Sequence, residues 1–177
     1  MADIRQRVEE DRGVLKKIQL IVPGYRGYRI REDLRDSDKM LRMALVKKLK
    51  DQRDKVDEAR SELISIMPLS KNVEMAGNID LKIKKLQGQI DHAEGGYSGL
   101  VSDIRMDSSQ MNRLYEWDLA MLQTLAIIDQ CIEGLSSSIV SQDETMIKAD
   151  LKEIMAKLDE LEEKFGKRLS VIQGTEQ

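Results

Sequence analysis

The stretch that decides the fold is residues 111–139, MNRLYEWDLAMLQTLAIIDQCIEGLSSSI. Apolar side chains recur along it at intervals of three or four residues, interrupted only by Asp118. The stripe consists of Met111, Leu114, Asp118, Met121, Leu125, Ile128, Ile132, Leu135 and Ile139. This spacing places the apolar groups on one narrow face of a helix, the pattern of helices that pack lengthwise as in coiled coils. The stretch therefore predicts one long helix in a helical bundle.

Similar stripes predict four further helices. Helix one ends at Pro23-Gly24, and helix two spans about 29–67, where Pro68 ends it. A looser segment, 68–77, precedes helix three, for which Asn78 is the predicted N-cap. Helix five spans 142–172, after a capping box formed by Ser141 and Glu144. Within helix two, the wholly polar run 50–55 predicts thin or solvated packing.

We thus expect an all-α protein. The predicted architecture is one elongated antiparallel bundle of coiled-coil-like hairpins over residues 1–177, with about five helices. Two of them, helices two and four, are predicted to be near 40 residues long. Since aromatic residues make up only 3% of the chain, Leu, Ile and Met are expected to fill the seams.

Composition excludes several kinds of site. One Cys and one His cannot form a Cys/His zinc site or a disulfide framework, so no metal and no cofactor is predicted. No apolar stretch approaches the roughly 18 residues of a transmembrane helix, and the amino terminus lacks the pattern of a signal peptide. These features predict a cytoplasmic protein without a transmembrane segment.

Two turns resemble each other in sequence. Gly-Tyr-x-Gly occurs at 24–27 and again at 96–99, and each copy is followed by Asp-Ser-x-x-Met-x-Arg. One interpretation is chance similarity between two helix connections. The other is a decayed duplication of a short-long helical hairpin, 1–67 and 78–139, followed by a C-terminal helix. The second interpretation places both turns at the same end of the molecule.

The first turn is also the densest cluster of binding chemistry. Arginine forks bind phosphate and carboxylate groups, and tyrosine rings offer a stacking face. The candidate binding residues are Tyr25, Arg26, Tyr28, Arg29 and Arg31, with Tyr97 from the second turn. An alternative is that the tyrosines close the end of the bundle while the arginines pair with nearby carboxylates. Because the chain has a net charge of −3, a nucleic acid is not favoured as the partner.

Asp118 lies in the apolar seam beside Tyr115 and Trp117. A carboxylate there must be paired, because an unpaired buried charge is strongly destabilising. Arginines considered as its partner are Arg35, Arg42 and Arg113. The candidate buried polar cluster consists of Asp118, Tyr115, Trp117, Arg35 and Arg42. The alternative is that Asp118 acts in acid–base catalysis with Arg and Tyr from the turns, although no second catalytic group is evident.

The motifs PGYRGY (23–28), GYSGL (96–100) and LYEWDL (114–119) resemble a poorly characterised group of prokaryotic all-helical proteins. The resemblance covers most of residues 15–125. It implies a helical scaffold in which both turns and the stretch 115–118 belong together, and it implies no activity.

Charge is distributed unevenly, which indicates a partner surface. Residues 1–50 carry 14 basic and 8 acidic side chains, whereas residues 101–177 carry 8 and 15. The leading hypothesis is a non-enzymatic scaffold or adaptor that binds a protein or itself, with the first turn contacting an anionic partner. The alternative is a peripheral membrane protein that binds anionic lipid head groups through helix one and the first turn. An enzyme using Asp118 is the third hypothesis.

Overall fold

The structure, a computed structural model, describes residues 4–27, 31–93 and 108–173, with side chains described at 13–27, 35–93 and 109–173. These residues form five helices and no strand, which confirms the all-α prediction. The helices are α1 (Ile4–Ile21), α2 (Arg31–Ile66), α3 (Lys71–Asp91), α4 (Ser108–Ser141) and α5 (Glu144–Gln173). The two longest, α2 and α4, have 36 and 34 residues.

Two antiparallel hairpins form the body of the molecule. Between α2 and α3, polar contacts join positions that run in opposite directions along the two helices. These contacts are Arg42 to Asp91, Val46 to Gln87 and Arg53 to Asp80. The α4/α5 hairpin has the same pattern, with Asp118 joined to Arg168, Thr124 to Lys164 and Ser138 to Asp150. Each hairpin therefore keeps one register along its length.

The hairpins pack side by side with like-directed helices adjacent. Gln52 and Lys55 of α2 reach Leu125 and Asp129 of α4, so these helices run parallel. On the other side, Lys82 of α3 is paired with carboxylates of α5. Helix α1 packs against α4. The result is a four-helix bundle with a shorter helix added to one face.

The α4 stripe lies in the core, as its spacing predicts. Its members from Leu114 to Ile139 are at most 3% exposed. Comparable stripes of α3 and α5 are buried in the same core, with Ile79, Ile83, Leu86 and Ile90 from α3 and Ile147, Leu151, Ile154, Leu158 and Leu161 from α5. Truncating one such side chain to Ala costs about 2–5 kcal/mol in comparable cores. Burial of these stripes is therefore the main source of stability.

Helix α3 begins earlier than predicted, so the expectation of a looser segment over 68–77 is wrong. Its N-cap is Ser70, whose hydroxyl accepts a hydrogen bond from the Asn72 N–H at 3.2 Å. Asn78 is an exposed residue inside the helix. Gly77, the last residue of the predicted looser segment, lies inside the helix, and the Arg60 guanidinium of α2 packs over it, with Nε 3.5 Å from where a Cβ would stand.

The predicted capping box at the start of α5 is also wrong. Asp143 caps α5, because its Oδ1 accepts hydrogen bonds from the N–H groups of Thr145 and Met146 at 3.0 and 3.1 Å. Ser141 belongs to the end of α4, where its hydroxyl donates to the Ser138 carbonyl. Gln142 joins the helices with a φ of 55°, in the left-handed region.

The prediction of thin or solvated packing in the polar run of α2 is wrong at Gln52, the position that faces α4. Gln52 is fully buried, and its side-chain amide donates to the Leu125 carbonyl of α4 at 2.7 Å. It fills the seam position between Leu49 and Val56, which are both fully buried. Within the described residues its Oε1 has no hydrogen-bond partner. The α2/α4 seam therefore continues through the polar run.

Candidate functional site

The turn after α1 is fixed by two glycines with positive φ. Gly24 has φ 85° and Gly27 has φ 86°, a region that side-chain-bearing residues rarely adopt. A Cβ on Gly27 would stand 2.6 Å from the Tyr115 hydroxyl, so the backbone here touches α4 directly. The Ser37 hydroxyl donates to the Gly27 carbonyl at 3.0 Å and ties the turn to α2. The turn is thus held between α2 and α4.

Tyr25 points into the bundle, which corrects its prediction as an exposed binding residue. Its side chain is 2% exposed, and its hydroxyl donates to Asp118 Oδ2 at 2.7 Å. The Gln19 side chain donates to the Tyr25 carbonyl at 3.0 Å. Tyr25 therefore anchors the turn to the core. This agrees with the alternative interpretation, in which the tyrosines close the end of the bundle.

Asp118 is one member of a buried charge network. Its Oδ1 accepts a hydrogen bond from Arg168 Nε at 2.6 Å, and Arg168 Nη1 is 2.8 Å from Asp38 Oδ1. Arg42 Nε donates to Asp38 Oδ2 at 2.8 Å, and its Nη1 donates to the Asp91 carbonyl. Asp38, Arg42, Asp118 and Arg168 are at most 5% exposed. Two carboxylates and two guanidiniums thus neutralise one another.

This network joins all four helices of the bundle at one level. Asp38 and Arg42 come from α2, Asp118 from α4 and Arg168 from α5, while the Asp91 carbonyl ends α3. A buried charge is tolerated when its partner and its hydrogen bonds are in place. The Asp38–Arg42 pair lies within α2, whereas Arg168 joins α5 to Asp38 and Asp118 and Arg42 joins α2 to the end of α3, so the network links both hairpins at this level.

The prediction that Asp118 pairs with an arginine is confirmed, but the partner is Arg168, which was not among the predicted arginines. Arg35 and Arg113 are exposed, so the prediction that Arg35 is a buried polar residue is wrong. Arg42 is buried as predicted. The spacing of Arg168 indicates burial, because it follows Phe165 by three residues and continues the α5 stripe to Ile172.

The aromatic neighbours of Asp118 differ in depth. Tyr115 is 8% exposed and lies against Gly27. Trp117 is only half-buried, and the Lys167 ammonium lies 5.4 Å from the centre of its ring. This distance allows a cation–π contact between α4 and α5. Trp117 therefore covers the outside of the bundle near the network.

The outer side of α1 and its turn exposes basic and apolar side chains together. Leu20 is 80% exposed and Ile21 is 41% exposed. Lys16 and Lys17, one helical turn before them on α1, and Arg26, in the following turn, are also exposed. We call Lys16, Lys17, Leu20, Ile21 and Arg26 the basic α1 surface. Of the predicted binding residues, only Arg26 is described on this surface.

Several predicted binding residues lie outside the described part of the chain. Tyr28, Arg29 and Tyr97 are among the residues whose structure is not described, and Arg31 begins α2 with no described side chain. The second Gly-Tyr-x-Gly turn, at 96–99, also lies outside, so its position relative to the first turn stays a prediction.

The described residues hold no group of three or more His, Cys, Asp or Glu side chains placed to bind a metal ion. Cys131 is half-buried in α4, and burial together with Glu153 raises the pKa of its thiol. A raised pKa keeps the thiol protonated and unreactive.

None of the described helices contains an apolar stretch that could span a lipid bilayer.

Comparisons with known proteins leave the chain without an assigned relative. No family model matches it, and no curated protein and no solved structure matches it. The resemblance based on the PGYRGY, GYSGL and LYEWDL motifs therefore stays a prediction.

Proposed function

We propose that this protein is a non-enzymatic helical scaffold that binds an acidic surface of a protein partner through the basic α1 surface. The observation that carries the proposal is the exposure of Leu20 and Ile21 beside Lys16 and Lys17. Apolar contact area ringed by positive charge suits a partner with carboxylates around an apolar patch.

The base of this surface supports the proposal. Tyr25 ties the turn to Asp118, and Gly27 lies directly on Tyr115. The surface is therefore presented on a base that is already ordered, and binding needs little further ordering of the turn. No catalytic residue is part of the proposal, because Asp118 is fully buried and bonded to Tyr25 and Arg168.

A pull-down from a lysate of the native host tests the proposal. The test variant carries Lys16→Glu, Lys17→Glu and Arg26→Glu. The control carries Lys84→Glu, Lys148→Glu and Lys152→Glu, which make the same charge change at exposed positions of α3 and α5. We expect a partner that is captured by the wild type and the control, released by salt and lost in the test variant. A set of captured proteins identical for all three would contradict the proposal.

Peripheral membrane binding is the second candidate function. The observation that favours it is the same pair of exposed apolar residues next to lysines, the chemistry of an interfacial helix. Val22 and Tyr25, which follow Ile21 in the predicted membrane-binding segment of helix one and the first turn, are both 2% exposed and take no part in this surface. Flotation with vesicles of phosphatidylserine and phosphatidylcholine, against phosphatidylcholine alone, tests it. Protein that stays unbound to both at low salt would exclude this function.

A further inference from the structure

A second exposed surface lies between α2 and α4, in the C-terminal halves of both helices. It is a groove of about 320 Å³ between the two parallel helices, lined by Lys55, Glu58, Ala59, Glu62, Ile132, Glu133 and Ser136. Lys55 is already paired with Asp129. Glu58, Glu62 and Glu133 form no ion pair within the described residues. We call this surface the acidic groove.

Exposed apolar side chains continue the groove toward the end of the bundle. Ile66 is 40% exposed and follows Glu62 by one helical turn, while Val140 is 81% exposed and follows Ser136 by one turn. Leu69, in the turn after α2, is 98% exposed. The acidic groove thus combines exposed carboxylates with exposed apolar area, and its charge is opposite to that of the basic α1 surface.

The basic α1 surface adjoins the turn that follows α1, and this turn lies on the same two helices, nearer the start of α2. The turn after α1 contacts Met40 of α2 through Gly24 and Tyr115 of α4 through Gly27. Glu58 follows Met40 by 18 residues, and Glu133 follows Tyr115 by 18 residues. Since 18 residues make about five turns, these glutamates lie about 27 Å further along the same sides of the two helices.

We propose that the occupant of the acidic groove is the basic α1 surface of a second copy of this chain. The proposal rests on the proposed function and names the acidic partner as the protein itself. Because the two surfaces lie on one face but about 27 Å apart, one chain cannot join its own pair. Two copies placed face to face and antiparallel join both pairs at once, which gives a closed two-fold dimer.

In this dimer Lys16 and Lys17 of each chain face the partner's Glu58 and Glu62, and Leu20 and Ile21 lie beside them against the apolar lining of the groove. The contact therefore combines apolar area with opposite charges. Salt should weaken the dimer, because the paired charges are exposed to solvent.

Charge exchange combined with light scattering tests the proposal. The wild type should have twice the chain mass of 20.3 kDa at low salt. Lys16→Glu with Lys17→Glu, and separately Glu58→Lys with Glu62→Lys, should each raise the dimer dissociation constant by about tenfold or more. Mixing the two variants should restore a heterodimer, because each remaining contact then joins opposite charges. The control, Lys148→Glu with Lys152→Glu, should dimerise as the wild type does.

Cysteine cross-linking tests the geometry. In a Cys131→Ser background, a mixture of Leu20→Cys and Ser136→Cys chains should form a disulfide between the two proteins, because Ser136 lines the groove, whereas neither protein alone should. Leu81→Cys, on α3 and 62% exposed, should not cross-link to Leu20→Cys. A monomeric wild type, a dimer that is unchanged by both charge variants, or cross-linking of Leu20→Cys to itself would each overturn the dimer. A monomer that still captures an acidic partner through Lys16 and Lys17 would overturn the dimer and leave the proposed function intact.

Discussion

Asp118 shows how far single residues can be interpreted from sequence. Its place in an apolar seam is enough to predict that it is buried and paired, because an unpaired carboxylate there would be too unfavourable. Which arginine pairs with it depends on the register between α4 and α5. That register is determined by the short turn around Gln142, which has a positive φ. Arg168 could therefore be suspected from its spacing but not assigned.

The network predicts a large effect for Asp118→Asn. The amide keeps the shape of the side chain but leaves the two buried arginines with one carboxylate. We expect the free energy of unfolding to fall by about 3–5 kcal/mol, as when one partner of a buried ion pair is removed. Urea denaturation measures it, with the exposed Glu116→Gln as a control expected to stay within about 0.5 kcal/mol. A change of similar size in both variants would contradict the role of the network.

The turn predicts opposite effects for two glycines. Gly27→Ala places a Cβ 2.6 Å from the Tyr115 hydroxyl at a φ of 86°, so it should destabilise the protein by more than about 1 kcal/mol. Gly13→Ala lies in α1 with no atom within 4 Å of the new Cβ, and it should stabilise the helix by up to about 1 kcal/mol. Adding Tyr115→Phe to Gly27→Ala should recover part of the loss, since the hydroxyl is removed while the backbone strain stays. Thermal denaturation compares the variants.

At the scale of the helices, stripes are easier to predict than their ends. The 3/4 spacing locates the buried faces of α4 and α5 correctly because it depends only on each helix. The predicted start of α3 is wrong because Ser70 and Asn78 are both acceptable N-cap residues. Gly77, just before Asn78, favours the later start, since glycine is a poor helix former. Arg60, which covers Gly77, comes from another helix and has no local signature. The burial of Gln52 depends in the same way on a carbonyl of α4.

The two candidate caps predict different mutational outcomes. Ser70→Ala removes the acceptor for the Asn72 N–H and should lower stability by about 1 kcal/mol. Asn78→Ala replaces an exposed mid-helix residue with a better helix former and should raise stability by a few tenths of a kcal/mol, about 0.5 at most. Urea denaturation of both variants distinguishes the observed cap from the predicted one. A loss of stability in Asn78→Ala would indicate that α3 starts later.

At the scale of the whole molecule, the sequence predicts the class of fold but not the order of the helices. Narrow stripes fit several arrangements of two hairpins, and the charge gradient favours placing a basic helix two beside acidic helices four and five. The structure does place α2 beside α4, with Lys55 paired to Asp129. It also places α3 beside α5, where Lys82 and Lys85 meet Glu162. These lysines lie in the middle of the chain, where the net charge does not indicate that α3 packs against the acidic α5.

The pairing of α3 with α5 predicts how stability depends on pH. Lys82 and Lys85 lower the pKa of Glu162 to about 2, and Lys157 and Lys164 lower that of Glu160 to about 2. A carboxyl with a lowered pKa in the folded state stabilises the protein above its ordinary pKa of about 4.3 and loses this contribution as the pH falls toward 2. We therefore expect the free energy of unfolding to fall between about pH 4.5 and pH 2.

Glu162→Gln should lower stability at pH 6 and make this fall shallower, because the group that takes up the proton is gone. Glu74→Gln, an exposed change on α3 without an ion pair among the described residues, should leave the slope unchanged in the same urea titrations. Equal slopes for Glu162→Gln and the wild type would show that the α3/α5 ion pairs contribute nothing to acid unfolding.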